Sequence, residues 1–365
     1  DMYSVLNAAK EIKTLFGREV NLPDYKVKET FVSKFPVAIN TEKCSQFSAR
    51  VVKGIKVGES PKWMKEALRS SGIRSINNIV DIGNYVMLLT GQPLHMYDLD
   101  KLAKQELIVR DDLDGDFVAL DEKTYKLQKG DVCITSNGKV MCLGGVMGSL
   151  ACAVDENTKN IVIEAANFDY ASIRRTSIRL ALVSDSSQRF VKGINPNQYN
   201  FVLDTASHFV KELCSAKGIS GISTYLASKY EPKTLVSSAK YINGRLGTNF
   251  TDEEIISSLK AAHIEVTEKG DNLICLVPDN RIDITDEKIA AASIGYRVVD
   301  VHYDAENKVY YLDETKQFIQ EQIEMLGTLS NGQKRLTIKL TDAATKHILS
   351  HNEVLAYVLK VALEI

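Results

Sequence analysis

The side chains best suited to chemistry lie in two neighbouring motifs. Residues 76–85 form an apolar run that carries four polar side chains: Asn77, Asn78, Asp81 and Asn84. Residues 91–95 follow as Gly-Gln-Pro-Leu-His and end on His95. Because a buried polar group must find a hydrogen-bond partner, ordinary core segments rarely hold so many. The two motifs therefore predict the wall of a polar pocket.

The elements that must position these motifs alternate between helices and short strands. Apolar–polar alternation predicts strands within residues 31–55, and helices are predicted at about 60–72 and 81–89. Residues 105–165 contain short β-branched runs separated by turn residues, which predicts further strands. Helical spacing predicts an opening helix, a helix over 172–182 and a longer helix after Pro196. The predicted fold class is α+β, a mixed sheet-and-helix domain.

A smaller unit of different character is predicted from about Tyr230. One helical segment precedes a helix capped at Thr251, where Glu254 completes a capping box, and a hairpin turn follows at residues 270–271. This helix–helix–hairpin order is typical of a winged-helix-like module. Beyond it, helical stretches are predicted over residues 317–326 and 354–365.

Composition narrows the class of protein. The 365 residues suffice for two or three domains, and the net charge of -2 gives no global basic field, so contact with RNA would need a local patch or a partner subunit. The six cysteines form no Cys-x-x-Cys pair, which favours reduced, buried thiols. The sequence has no phosphate-binding glycine loop, no His/Cys metal motif and no run of eighteen apolar residues. We expect a soluble, cytoplasmic chain with no cofactor or metal of its own.

Short blocks along the chain are specific in combination. They are Ser48–Val51, Gly72–Arg74, Ile76–Tyr85, Gly91–His95 with Asp98 and Leu99, Gly145–Gly148, Ile163–Ala165, Ser172–Thr176 and Ser187–Phe190. Their order and spacing resemble the B3/B4 region of the bacterial phenylalanyl-tRNA synthetase beta subunit. Two later blocks, Asn243–Gly247 and Pro278–Ile284, resemble its B5 domain.

The resemblance implies a domain organisation and a set of partners. Residues 1–29 would be a helix and linker from a missing N-terminal domain, 30–228 a B3/B4 editing-type domain, 229–300 a B5-like domain and 301–365 an unassigned segment. We therefore expect a piece of a longer protein. The family's alpha subunits carry the aminoacylation chemistry with ATP and Mg²⁺, in an α2β2 heterotetramer that binds tRNA(Phe).

The resemblance also implies a hydrolytic editing site that removes tyrosine from tRNA(Phe). Tyrosine differs from phenylalanine by one hydroxyl, and an apolar pocket rejects an added hydroxyl by only about a hundredfold. Glu164 matches the family's glutamate that binds this hydroxyl, an exposed strand-end glutamate being the alternative. His95 would orient a water, bind the ester or act as a general base, and Asn84 would hold the water or the ester. A structural role for either stays open.

Glycines and arginines complete the implied site. Gly145 and Gly148 would allow close backbone approach to the substrate, or else form a tight turn between strands. Arg174 and Arg175, with Arg179, would contact tRNA phosphates or else form intramolecular salt bridges.

Departures from the family pattern bear on activity. Gly83, a substrate-binding position, stands where many members have Thr or Ser, so a hydroxyl able to hold the water or the substrate is absent. Ser186 stands where the family often has a pocket-lining Ala, and its hydroxyl would crowd a site sized for a tyrosyl ring. Val191 replaces a common Glu. A non-catalytic scaffold for subunit assembly and tRNA placement is therefore a second function, and a free-standing hydrolase acting in trans is a third.

Overall fold

The computed structural model of the chain consists of two compact units. It describes residues 3–16, 20–33, 35–246, 249–282, 284, 301–304, 309–312, 323–328 and 334–338. The first unit comprises residues up to Ala8 and from Asn21 to Glu231, whereas the second includes residues 9–20 and begins again at Pro232. Mixed helices and sheets confirm the predicted α+β class.

Helices and strands alternate along the first unit. Its helices are the start of α1 (Val5–Phe16), then α2 (Lys62–Ser70), α3 (Asn78–Thr90), α4 (Tyr170–Arg179), α5 (Asp185–Lys192) and α6 (Tyr199–Cys214), with 3₁₀ turns at Leu99–Lys101 and Leu150–Cys152. Its strands are β1 (Val37–Asn40), β2 (Cys44–Lys53), β3 (Leu94–Asp98), β4 (Leu107–Arg110), β5 (Gly115–Val118), β6 (Thr124–Leu127), β7 (Cys133–Ser136), β8 (Lys139–Leu143), β9 (Met147–Gly148), β10 (Asn160–Phe168) and β11 (Gly218–Leu226). The predicted helices and β-branched strands of residues 5–214 are confirmed, and α3 begins three residues earlier than predicted.

Two sheets carry the motifs of the first unit. A four-stranded antiparallel sheet has the order β11-β2-β10-β3, so β3 is an edge strand and β10 lies inside. A five-stranded sheet has the order β1-β4-β7-β8-β9, in which β1 and β4 are parallel. Strands β5 and β6 form a separate hairpin.

The two faces of the four-stranded sheet are covered differently. On one face Arg50, only 3% exposed, donates a hydrogen bond of 2.6 Å from Nη1 to Oδ1 of Asp204 on α6. Because side chains alternate along a strand, Ala49 and Val51 point to the opposite face. There they join one hydrophobic core with Ile134 and Leu143 of the five-stranded sheet. Side chains on this second face are therefore enclosed between the two sheets.

The second unit begins with a compact helix-and-sheet module. Its elements are β12 (Thr234–Ser237), α7 (Ala239–Leu246), α8 (Asp252–Ala261), β13 (Glu265–Lys269) and β14 (Asn272–Leu276), with the strands in the order β12-β14-β13. The predicted capping box is confirmed, because Thr251 Oγ1 accepts from the Glu254 amide at 3.2 Å and Glu254 Oε2 accepts from the Thr251 amide at 2.9 Å. The helix–helix–hairpin order is confirmed as well.

Farther along, the described residues of the second unit form strands. They are β15 (Val301–Asp304), β16 (Val309–Leu312), β17 (Ile323–Thr328) and β18 (Lys334–Ile338), paired as two antiparallel ribbons. The helix predicted over residues 317–326 is wrong for residues 323–326, where pairing with β18 overrides local helix propensity. The helix predicted over 354–365 lies outside the described residues.

Candidate active site

The register of two strands brings the candidate carboxylate and histidine together. On the antiparallel pair β3–β10, His95 lies opposite Glu164 and Tyr97 lies opposite Val162. Residues two apart on a strand share a face, so these four side chains all point between the two sheets. The sequence had linked Glu164 and His95 only through the family resemblance.

Glu164 is a buried carboxyl group bound by a tyrosine of the same chain. It is 5% exposed, and the Tyr97 hydroxyl donates a hydrogen bond to its Oε2. Desolvation raises the pKa of Glu164 to about 8, and the hydrogen bond from Tyr97 opposes that rise. The alternative of an exposed strand-end glutamate is therefore wrong.

His95 is held neutral beside this pair. Its ring meets the Tyr97 ring edge-on, with centroids 4.4 Å apart and planes at 89°. Its Nε2 is shielded from solvent and has no hydrogen-bond partner among the described residues. Desolvation lowers the pKa of His95 to about 4, so the imidazole is neutral at physiological pH.

Gly148 is fixed by its close approach to the same imidazole. A Cβ at this position would lie 2.6 Å from His95 Nε2 and closer still to Cε1. Gly148 ends β9, opposite Cys142 of β8, and so supplies the five-stranded sheet's wall of the cluster. The close backbone approach expected of Gly148 is present, and in this structure the group that its backbone approaches is the imidazole of His95.

Gly145 and Ser186 form a separate contact. Gly145 has φ of +68°, and a Cβ there would lie 2.9 Å from Cδ2 of Phe190, so both conformation and packing require glycine. Ser186 Oγ donates to the Gly145 carbonyl at 3.1 Å. The Ser186 hydroxyl thus bonds backbone, and Val191 packs partly buried against the core.

Gly83 and Asn84 lie on helix α3, which packs toward the other face of the sheet. A Cβ on Gly83 would meet only Cε of Met96, at 3.7 Å. Met96 lies between His95 and Tyr97 on β3 and therefore points to the opposite face. Asn84 is half-buried and makes no hydrogen bond to His95 or Glu164 among the described residues. No described contact joins these two residues to the Glu164 cluster.

The two asparagines at the start of this motif have local structural roles. Asn77 is the N-cap of α3, and its Oδ1 accepts from the amides of Ile79 and Val80, both at 3.0 Å. Asn78 Oδ1 accepts from the amide of Gly58 at 3.0 Å. The prediction that they line a polar pocket is wrong, because caps and pocket walls use the same residue types.

Asp81 is likewise structural. Its buried carboxylate accepts hydrogen bonds from the hydroxyls of Ser60 and Ser75, both at 2.5 Å, and from the amide of Ile76 at 2.8 Å. These bonds tie the segment before α3 to the helix. Of the predicted pocket wall, only His95 lies at the Glu164 cluster.

The arginines of α4 were expected either to contact tRNA phosphates or to form intramolecular salt bridges, and they do not all behave alike. Arg179 pairs with buried Asp131 and also donates to the Lys126 carbonyl at 2.9 Å, so it is an intramolecular anchor. Arg174 and Arg175 are exposed, and within the described residues neither forms a salt bridge. Their tRNA-binding role stays a prediction.

Tyr97 and three thiols were not identified from the sequence. Cys142 lies close enough to Tyr97 and Glu164 that both influence its pKa, and Glu164 also raises the pKa of Cys44 and Cys152. The signal for Tyr97 was its spacing of two from His95, which becomes informative only once residues 94–98 are known to form a strand.

Neither a metal centre nor a membrane span is found in the described part of the chain. No group of three or more His, Cys, Asp or Glu side chains is arranged to hold a metal ion there. None of the described helices is both long and apolar enough to cross a bilayer.

Comparison with known proteins identifies the domains. Residues 43–215, which contain the Glu164 cluster, match the model of the B3/4 domain, and residues 236–288 match that of the tRNA synthetase B5 domain. The phenylalanine–tRNA ligase beta subunit of Streptococcus thermophilus is 37% identical over 289 residues. The chain belongs to the phenylalanine–tRNA ligase beta subunit family. The predicted resemblance is confirmed.

Other members of the family match the same region. The beta subunit of Thermotoga maritima is 36% identical over 300 residues, covering 81% of this chain and 38% of that protein. The S. thermophilus match covers 78% of this chain and 36% of that protein. The chain thus spans little more than a third of the length of these curated relatives. An N-terminal fragment of the Pyrococcus horikoshii beta subunit superimposes with a TM-score of 0.38 at 16% identity, covering 81% of this chain and 85% of that one.

The contact between Gly148 and His95 predicts opposite effects for two glycine substitutions. Gly148→Ala forces the imidazole to move, and we expect it to lower the free energy of unfolding by about 1–3 kcal/mol. Gly83→Ala is the matched control, because its methyl fits and alanine favours a helix by about 0.5–1 kcal/mol. Urea unfolding followed by the fluorescence of Trp63, the single tryptophan, measures both. Equal effects of the two substitutions would contradict the packing described.

The raised pKa of Glu164 predicts a pH dependence of stability with a definite sign. Between its ordinary value of 4.5 and its folded value of about 8, the folded state binds one proton more than the unfolded state. The free energy of unfolding therefore falls as pH rises, by up to about 1.4 kcal/mol per pH unit. His95, with its pKa lowered from 6.5 to about 4, acts in the opposite direction, but only below pH 6.5.

The window from pH 6.5 to 8 therefore isolates the contribution of Glu164. We expect the wild-type chain to lose stability across this window relative to Glu164→Gln, which has no titrating carboxyl. Glu66→Gln, at an exposed position of α2, serves as the control and should follow the wild type. Parallel profiles for wild type and Glu164→Gln would show that Glu164 titrates as a solvated carboxyl group.

Proposed function

We propose that the B3/4 domain of this chain, within an assembled phenylalanine–tRNA ligase, hydrolyses tyrosyl-tRNA(Phe). The observation that supports the proposal is the buried carboxyl group of Glu164 beside the neutral imidazole of His95. A hydroxyl-bearing side chain that reaches Glu164 finds a hydrogen-bonding group shielded from water. Phenylalanine in the same place leaves that group unpaired, at a cost of about 1–3 kcal/mol.

His95 serves this reaction by positioning groups. Its pKa of about 4 makes it a weak base, which favours orientation of a water or of the ester over full proton abstraction. Nε2 has no hydrogen-bond partner among the described residues but is shielded from solvent, so the cluster must open before this atom can hold a water or the ester. Hydrolysis of an aminoacyl ester is an easy reaction, so a held water suffices. The role of Asn84 in holding the water or ester stays a prediction.

The wider assembly follows from the family and belongs to the same proposal. The chain would act in the cytoplasm with alpha subunits in an α2β2 heterotetramer, and Arg174 and Arg175 would contact tRNA(Phe). ATP and Mg²⁺ would serve aminoacylation in the alpha subunits. The relatives named above are phenylalanine–tRNA ligase beta subunits, of which this chain spans about a third.

A scaffold without editing activity is the second candidate function. The observation that favours it is that Tyr97 of the chain itself bonds the Glu164 carboxyl group, and that Gly83 offers no hydroxyl. In that case the domain would contribute to subunit assembly and tRNA placement only.

Deacylation of tyrosyl-tRNA(Phe) by the assembled synthetase containing this chain separates the two candidates. We expect the wild type to release tyrosine well above the uncatalysed rate and Glu164→Ala to reduce kcat/KM by about 10–100-fold, through the lost hydroxyl contact. Glu66→Ala, on the exposed face of α2, should leave the rate unchanged. Background-level release by a wild-type tetramer that still charges phenylalanine would refute editing and leave the scaffold.

A further inference from the structure

The two oxygens of the Glu164 carboxyl group have different surroundings. Oε2 accepts the hydrogen bond from the Tyr97 hydroxyl. No hydrogen bond to Oε1 is found among the described residues, although the residue is only 5% exposed. One oxygen is therefore occupied by the protein, and the other has no hydrogen-bond partner among the described residues.

Tyr97 is rigidly placed for this contact. Its side chain is fully buried, its backbone is fixed by the pairing of Tyr97 with Val162, and its ring is wedged edge-on against His95. The last torsion of a glutamate side chain is broad, so an unbound carboxyl group samples many orientations. A hydrogen bond from a fixed phenol restricts that torsion and so fixes the direction in which Oε1 points.

The same hydrogen bond affects the charge of the carboxyl group. Donation from Tyr97 lowers the pKa of Glu164, against the larger upward effect of burial. The other titratable groups near it are His95 and the thiols of Cys44, Cys142 and Cys152, none of which carries a charge near neutral pH because burial raises the pKa of each thiol and lowers that of the imidazole. Tyr97 therefore keeps more of Glu164 in its ionised, hydrogen-bond-accepting form.

We propose that Tyr97 is a positioning residue of the editing pocket, whose phenol holds Oε2 of Glu164 and leaves Oε1 as the acceptor for the hydroxyl of a tyrosyl ester. Tyr97 thereby sets the preference of the pocket for tyrosyl over phenylalanyl esters. This role rests on the proposed function, in which Glu164 binds the substrate hydroxyl.

Tyr97→Phe tests the role because it removes one hydroxyl and keeps the buried ring. In the assembled synthetase, we expect the ratio of kcat/KM for deacylating tyrosyl-tRNA(Phe) over phenylalanyl-tRNA(Phe) to fall by about 5–20-fold, as expected for a lost neutral or charge-assisted hydrogen bond. The change should lie mainly in KM for the tyrosyl substrate. Tyr125→Phe is the matched control, because the hydroxyl of that half-buried tyrosine also donates to a carboxylate, Asp121, at 2.6 Å, in a hydrogen bond exposed to solvent. The kcat/KM ratio of the Tyr125→Phe variant should equal that of the wild type.

The pH profile of the ratio provides a readout that loss of packing would not move. The kcat/KM ratio of tyrosyl over phenylalanyl substrate should rise with pH as Glu164 ionises. In Tyr97→Phe the pH midpoint of this rise should be higher, because a hydrogen bond that lowers the pKa of Glu164 has been removed. Unfolding followed by Trp63 fluorescence checks that the variant is folded.

The outcomes separate this role from the proposed function. Wild-type activity with an unchanged ratio and midpoint in Tyr97→Phe would overturn the positioning role and leave editing intact. A higher ratio in the variant would also overturn it, since Tyr97 would then compete with the substrate for Glu164. Background-level deacylation by the wild type would refute editing itself and the role of Tyr97 with it.

Discussion

The burial of one carboxyl group between two sheets is the constraint on which the candidate site depends. Glu164 extends from a central strand into the region between the two sheets, which is lined mainly by apolar side chains. An isolated charge there would cost several kcal/mol, so a carboxyl group in this place must bind a donor, take up a proton, or both. The phenol of Tyr97 supplies the donor, and the raised pKa of Glu164 reflects the remaining cost of desolvation.

The neighbouring residues are arranged around that pair. Tyr97 reaches Glu164 only because β3 and β10 pair in one register, and a shift by one residue would turn both Tyr97 and His95 to the helical face. His95 packs against the Tyr97 ring, and Gly148 lets β9 close over the imidazole. The same contacts that exclude water from Glu164 therefore also keep His95 neutral and restrict how it can act.

Much of this arrangement could be predicted from the sequence, and the failures have physical reasons. β-branched alternation predicted β2 and β10, and the capping box at Thr251 marked the start of α8. The asparagines of the Ile76–Tyr85 motif were misassigned, because a helix cap and a pocket wall require the same short polar side chains. Tyr97 was missed because residues 94–98 follow Pro93 and end on Asp98, and both residue types are depleted in strands, so the face shared with His95 was not recognised.

Contacts between residues on different sheets and helices could not be predicted from sequence patterns. Nothing in the local sequence places Gly148 against His95, since that contact joins strands of two different sheets. Asn84 and Gly83 are close to His95 in sequence, yet α3 carries Gly83 against Met96 on the other side of the edge strand. Asn84 and Gly83 were therefore assigned to the site because they are close to His95 in sequence, although no described contact joins them to Glu164.

The most direct test of this account is the ionisation of Glu164 itself. The carboxyl resonance of Glu164, assigned by its absence in Glu164→Gln, can be followed by carbon-13 NMR of glutamate-labelled protein as pH is varied. A titration midpoint near 8 is the result this structure predicts, as burial outweighs the hydrogen bond from Tyr97. A midpoint near the ordinary value of 4.5 would mean that water reaches Glu164, and would contradict a buried carboxyl cluster at the centre of the site.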